Sequence, residues 1–118
     1  MNKWLPVALR LAQHSHHAKH RMAALVVSGG RVLIGAVNGK RTGRHAEIRA
    51  LSRDIDFTGA TMIIVRMNGN GISTPCQTCF RLIKECGIKH IIFTIGPGQI
   101  VKFKVKDHEF TEFRNMEQ

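Results

Sequence analysis

Two short stretches, Arg44-His45-Ala46-Glu47 and Thr74-Pro75-Cys76-Gln77-Thr78-Cys79, constrain this chain more than any other feature, because together they offer three good metal ligands and a free carboxylate. They serve one ion only in a fold that brings the two stretches together. One neutral imidazole and two thiolates leave a Zn2+ site formally uncharged, with a fourth position open to water. Coordination of that kind lowers the pKa of the water toward about 7, which makes hydroxide available at neutral pH.

Length sets the scale of the fold that must achieve this. A chain of 118 residues is read as one domain, residues 1–118, with room for a single core and none for a separate substrate domain. The chain carries no run of 18 apolar residues, and Met1-Asn2-Lys3-Trp4-Leu5-Pro6 lacks the apolar core and cleavage site of a signal peptide. A soluble, cytoplasmic protein is expected. Three cysteines, two of them in Cys-x-x-Cys spacing, fit metal binding in a reducing compartment better than a disulfide framework. Lys and Arg number 18 against 8 Asp and Glu, a formal net charge of +10 that attracts anions, whether nucleic acid or a phosphorylated nucleotide.

Leu5, Ala8, Leu9 and Ala12 recur at helical spacing, so Trp4 to Gln13 reads as an opening helix with Pro6 tolerated in its first turn. The histidine-rich segment His14 to Arg21 follows. His16 and His20 can share a helical face, as can His14 and His17, but proximity in sequence does not establish ligand geometry, and a solvated basic segment is the simpler reading. Met22 to Val27 and Val32 to Val37 are apolar runs joined by Ser28-Gly29-Gly30-Arg31, a hairpin signal. A basic, glycine-containing loop, Asn38 to Arg44, then delivers the chain to a helix spanning His45 to Arg53.

Thr61 to Met67 predicts a third strand, and Thr74 as N-cap with Pro75 at the first helical position predicts a helix to Glu85, stopped by Gly87. Ile88 to Ile95 predicts a fourth strand. Gly96-Pro97-Gly98-Gln99 is too short for a parallel crossover, which needs about a dozen residues, so the next strand, Ile100 to Lys106, must run antiparallel. Its lysines at 102, 104 and 106 read first as protection of a sheet edge and second as a stripe for a polyanion. Phe110 and Phe113 suggest a short docked helix in the tail.

On the predicted helix Cys76 and Cys79 share a face near the N-terminus, where the dipole favours thiolates. Cys86, seven residues past Cys79, lies about 10 Å further along at 1.5 Å per residue and reads as a core residue. Glu47, two positions past His45, points away from the imidazole direction and suits a proton carrier better than a fourth ligand. Attack of hydroxide on an amidine-like carbon needs a ring nitrogen protonated and then an amine leaving group protonated. One carboxylate can move both protons.

His45-Ala46-Glu47 with Pro75-Cys76-Gln77-Thr78-Cys79 resembles the signature of the zinc-dependent cytidine and deoxycytidylate deaminase superfamily. The order helix, hairpin, His-x-Glu helix, strand, Pro-Cys-x-x-Cys helix, strand, from Leu5 through Ile95, is similar to that family's order. The resemblance implies a three-layer α/β cytidine-deaminase-like fold: a mixed five-stranded sheet flanked by helices, here with a short turn before an antiparallel last strand. It also implies a zinc cofactor on His45, Cys76 and Cys79, with Glu47 catalytic. Asn38 matches in position the asparagine that contacts sugar or base, although a turn asparagine explains it equally. Ala46 resembles the small residue whose amide faces the base, and a packing residue at a helix start explains that one too.

The end of the chain departs from the large branches of the family. Free-cytidine deaminases share the short turn but typically use cysteine where this chain has His45. Deoxycytidylate, transfer-RNA-adenosine and polynucleotide-editing deaminases share His-x-Glu but usually insert a helix before a parallel last strand. A cytosine nucleotide such as dCMP or CMP, or the nucleoside, is the expected substrate, since the chain is minimal, poor in aromatics and positively charged. Cytosine in single-stranded DNA or RNA is the alternative, carried by Lys19 to Arg21, Lys40 to Arg44 and Lys102 to Lys106. A catalytically silent, zinc-stabilised nucleic-acid-binding module is a third reading, against which the intact Glu47 argues. A domain of this size gains from a homo-oligomer.

Overall fold

A computed structural model of the chain describes residues 3–16, 20–39, 45–67, 71–96 and 99–107. Five strands, β1 (Met22–Ser28), β2 (Arg31–Val37), β3 (Thr61–Arg66), β4 (His90–Gly96) and β5 (Gln99–Lys104), form one sheet in the order β2-β1-β3-β4-β5. Three helices are described, α1 (Leu5–Ala12), α2 (Ala46–Leu51) and α3 (Gln77–Glu85). The fold is the mixed α/β architecture expected from the sequence.

The hairpin is made where Gly29 and Gly30 stand, at φ 58° and 80°, the left-handed pair that a tight two-residue turn requires. β1 runs antiparallel to β2 on one side and to β3 on the other. α3 is the crossover that lets β3 and β4 lie parallel. β5 turns straight back on β4, antiparallel, with His90 opposite Lys104 and Phe93 opposite Val101, as the short linker demanded.

β1 and β3 are buried on both faces, which is why they read as continuous apolar runs rather than alternating ones. Ala24, Val26, Met62, Ile64, Ile91 and Phe93 pack under α2 and α3, while Ala23, Leu25, Ile63, Val65 and Ile92 pack with Ala8 and Ala12 of α1. Helices on both faces make three layers. Gly35 has a packing reason: a Cβ there would stand 2.7 Å from Leu11 Cδ2, so any larger residue would have to push the Leu11 side chain aside.

Several boundaries differ from the sequence expectation, among them the start of the fourth strand, at His90 instead of Ile88. The second helix stops at Leu51 instead of Arg53, because the Ser52 hydroxyl takes up the Arg49 carbonyl at 2.8 Å. The third begins at Gln77, with Cys76 rather than Thr74 as its N-cap residue, and its first bond runs from Phe80 N–H to the Cys76 carbonyl at 2.9 Å. The stretch before it stays extended because Ile72 bridges to Ile95 and Ser73 is tied to Thr94. The last strand ends at Lys104 and gives way to a single tight turn, Val105–Asp107. The tail helix around Phe110 and Phe113 lies outside the described residues. No helix of the described residues is long and apolar enough to cross a membrane.

Candidate metal centre

The two motif stretches arrive at one place because two helices begin there. His45 is the N-cap residue of α2, extended at φ −68° and ψ 145°, and Cys76 holds the same position before α3 at φ −73° and ψ 170°. Cys79 sits one turn inside α3, buried. Cys76 therefore reaches the site from an extended backbone, not from the helical face read in the sequence. Both cysteines still lie where the unpaired N–H groups of a helix start favour negative charge.

His45 Nδ1 stands 3.2 Å from Cys79 Sγ and 3.4 Å from Cys76 Sγ, and the three ligand atoms all lie within 4.8 Å of one another. A tetrahedral zinc ion with bonds of about 2.3 Å to sulfur and 2.0–2.1 Å to nitrogen sets its N···S edge at roughly 3.6 Å. The cluster matches that edge within a few tenths of an ångström. It is the only group of three metal-ligating side chains this close among the described residues, and of the histidine-rich segment His14, His16 and His20 are described and stand outside it. The donor set, one imidazole and two cysteines, suits zinc.

Glu47 lies on the first turn of α2, only 3% exposed. Burial pushes its carboxyl above the ordinary carboxylate range, opposed by its own backbone N–H, the nearby His45 and a hydrogen bond with Cys79. Burial and then the Glu47 charge push the Cys79 thiol up in turn. Two acidic groups thus compete for negative charge in a dry corner, and a dication beside them relieves both. Glu47 is not part of the ligand trio, which leaves its carboxylate available.

Asn38 is buried at the end of β2. Its Oδ1 accepts from the Ser15 hydroxyl at 2.6 Å and the Met22 N–H at 3.0 Å, while Nδ2 donates to the His20 carbonyl. Among the described residues one Nδ2 hydrogen remains over. Its amide clamps the segment between α1 and β1 to the end of β2, and Arg49 of α2 adds a bond to the Val37 carbonyl at 3.1 Å. Ala46, the first residue of α2, is buried in the core. Cys86 ends α3, half-buried against the core.

Sequence reasoning missed Ser73 and Thr94. The Ser73 hydroxyl donates to the Ile64 carbonyl at 2.7 Å, meets the Thr94 hydroxyl at 2.7 Å and accepts the Thr94 N–H at 2.8 Å. This buried knot ties the approach to Cys76 onto β3 and β4. A serine in a loop gives no sequence signal for it, because its partners lie 9 and 21 residues away.

The fold has solved counterparts. The dCMP deaminase of cyanophage S-TIM5 is similar in its apo form at 22% sequence identity and TM-score 0.61, covering 75% of this chain and 81% of that one. Its complex with dCMP and dUMP gives 21% and 0.62 over 75% and 79%. A diaminohydroxyphosphoribosylaminopyrimidine deaminase/5-amino-6-(5-phosphoribosylamino)uracil reductase from Thermotoga maritima is similar at 22% and 0.58, over 97% of this chain and 33% of that one. At these identities the likeness is one of fold. No curated protein sequence gives a significant match. The trio His45, Cys76 and Cys79 could hold a metal ion, the family model for the cytidine and deoxycytidylate deaminase zinc-binding region matches residues 1–95, and the chain belongs to this family of zinc-dependent deaminases.

Proposed function

We propose that the protein hydrolyses the exocyclic amine of a cytosine nucleotide, dCMP or CMP, giving uracil and ammonia. The observation that carries this reading is the buried Glu47 carboxylate beside the His45, Cys76 and Cys79 cluster and outside the ligand set. His45, Cys76 and Cys79 would hold the zinc ion, which when bound would supply Lewis-acid activation of water. Glu47 takes a proton from the attacking water on a carboxylate oxygen, gives it to the ring nitrogen, and passes the second to the departing amine. The C–N bond breaks as the carbonyl forms. Burial raises this carboxyl above the ordinary carboxylate range, which favours its holding a proton between the two transfers. The Asn38 amide, fixed by Ser15, Met22 and His20, keeps one N–H for the sugar or base, and the Ala46 amide at the start of α2 offers a second donor. The nucleotide as substrate is supported by the likeness to a phage dCMP deaminase and by the formal charge of +10.

The same charge favours a second reading, cytosine within single-stranded DNA or RNA. One panel separates them: dCMP, CMP, cytidine, deoxycytidine and single-stranded DNA and RNA, each scored for uracil. Uracil from dCMP or CMP is expected. Uracil from the polymers alone overturns the first reading, and none anywhere with salt-sensitive polymer binding favours a silent module. Glu47→Ala should lower turnover by about 10²- to 10⁴-fold while retaining zinc and fold. An active variant would remove Glu47 from the mechanism.

A further inference from the structure

α3 carries the metal cluster at its start. Its other end, Glu85, lies about 9 Å along the helix direction from Cys79 at 1.5 Å per residue, and there the chain comes near the end of β5. A cleft of about 420 Å3 opens there, within the size range of small-ligand sites. Four lysines line it, Lys84, Lys89, Lys104 and Lys106, the Lys84 Nζ standing 5.5 Å from the Phe80 ring, over a floor formed by Ile88 and Val105, and among the described residues no acidic side chain lines it. The four come from different places: the last turn of α3, the α3–β4 connection, the end of β5 and the turn that follows it.

Ordinary structural roles explain only part of this. The helix dipole accounts for Lys84, and protection of a sheet edge accounts for Lys104. Neither places Lys89 and Lys106 around the same cleft, where like charges repel. Two of the four, Lys89 and Lys104, act together with Lys102 outside the cleft on the neighbouring side chain. His90, directly across from Lys104, is held below the ordinary histidine value by burial and by the charges of Lys102, Lys89 and Lys104.

We propose that this corner is an anion site, separate from the metal centre, that takes a ligand carrying clustered phosphates. Lysine ammonium groups are compact charges that meet phosphate oxygens from several directions, and four around one cleft match a polyphosphate better than a single carboxylate. The apolar floor gives the uncharged part of such a ligand a place to rest. Clustered phosphates come either on a small polyphosphorylated molecule or along a single-stranded nucleic acid.

The test uses the full-length, zinc-loaded protein and inorganic tripolyphosphate as probe, titrated by calorimetry at low salt and at about 0.15 M salt. The wild-type chain should bind at both. Lys89→Gln with Lys104→Gln should weaken binding by about tenfold or more, whereas Arg10→Gln with Arg31→Gln, which removes the same charge elsewhere, should weaken it less than about threefold. Equal weakening by the two pairs would assign the binding to overall charge and overturn the proposal, as would absence of binding at the higher salt. Should the first pair lose its fold, the exposed Lys106→Gln repeats the comparison. Glu47→Ala should bind tripolyphosphate like the wild type, and loss there would refute a separate site. Competition with a short oligothymidylate identifies the source: displacement at lower total phosphate points to nucleic acid, and the reverse to a small polyphosphate.

Discussion

Ser73→Ala removes one oxygen from the interior and tests how the metal centre is held. The hydroxyl is 1% exposed and serves the Ile64 carbonyl, the Thr94 hydroxyl and the Thr94 N–H. In the variant the Thr94 N–H loses the acceptor at 2.8 Å, with no room for water beyond the space of one oxygen. A buried donor left unpaired costs about 1–3 kcal/mol, and loss of the shared hydroxyl pair adds about 1 kcal/mol, so roughly 2–4 kcal/mol is expected. Against a domain stability of about 5–15 kcal/mol that is a large fraction, read as a fall in Tm of roughly 10–20 °C. Urea denaturation of the metal-free protein isolates this cost. Zinc competition with a chelator then measures the second effect: Cys76 is three residues on, and loosening its approach should weaken zinc by several-fold more than a comparable core substitution on the α1 face, such as Leu25→Val. A loss under 1 kcal/mol would refute the reasoning, as would zinc binding no different from that of Leu25→Val.

Cys76→Ser or Cys79→Ser should reduce bound zinc from about one per chain to well below it, measured by metal analysis after gel filtration. Asn38→Ala should cost about 2–3 kcal/mol in denaturation because it removes the acceptor of the Met22 N–H and a donor to the His20 carbonyl, and a raised KM in the protein that still folds would report its second role. His90 has a folded-state pKa below its unfolded value, so the unfolded chain binds the proton more readily and stability falls as pH drops below about 6.5. His90→Gln should flatten that part of the stability curve between pH 7.5 and 5.5, followed by denaturation midpoints at roughly one-unit steps.

How much of this could be read in advance depended on range. The metal trio was legible because ligand type and spacing are local properties, and so was His45 at a helix start. The direction of β5 followed from the few residues between Ile95 and Ile100, since chain length alone forbids a parallel return. Cys76 was misplaced onto the helix because its backbone is governed by Ser73, whose partners lie on β3 and β4. The bonds of Asn38 to Ser15 and His20 were hidden for the same reason, as was the meeting of Lys84 and Lys89 with Lys104 and Lys106. Position in the chain carries no sign of such encounters.

The ligands bridge a sequence separation of 31 residues, and all of β3 lies between His45 and Cys76. An ion seated on them closes that stretch into a loop, as a clip would, and removes disordered conformations that the open chain would otherwise regain. The cofactor is then also a fastener for α2 and α3 on one face of the sheet, while the hairpin of β1 and β2 closes through local contacts alone. Removing it should loosen one layer of the molecule before the others.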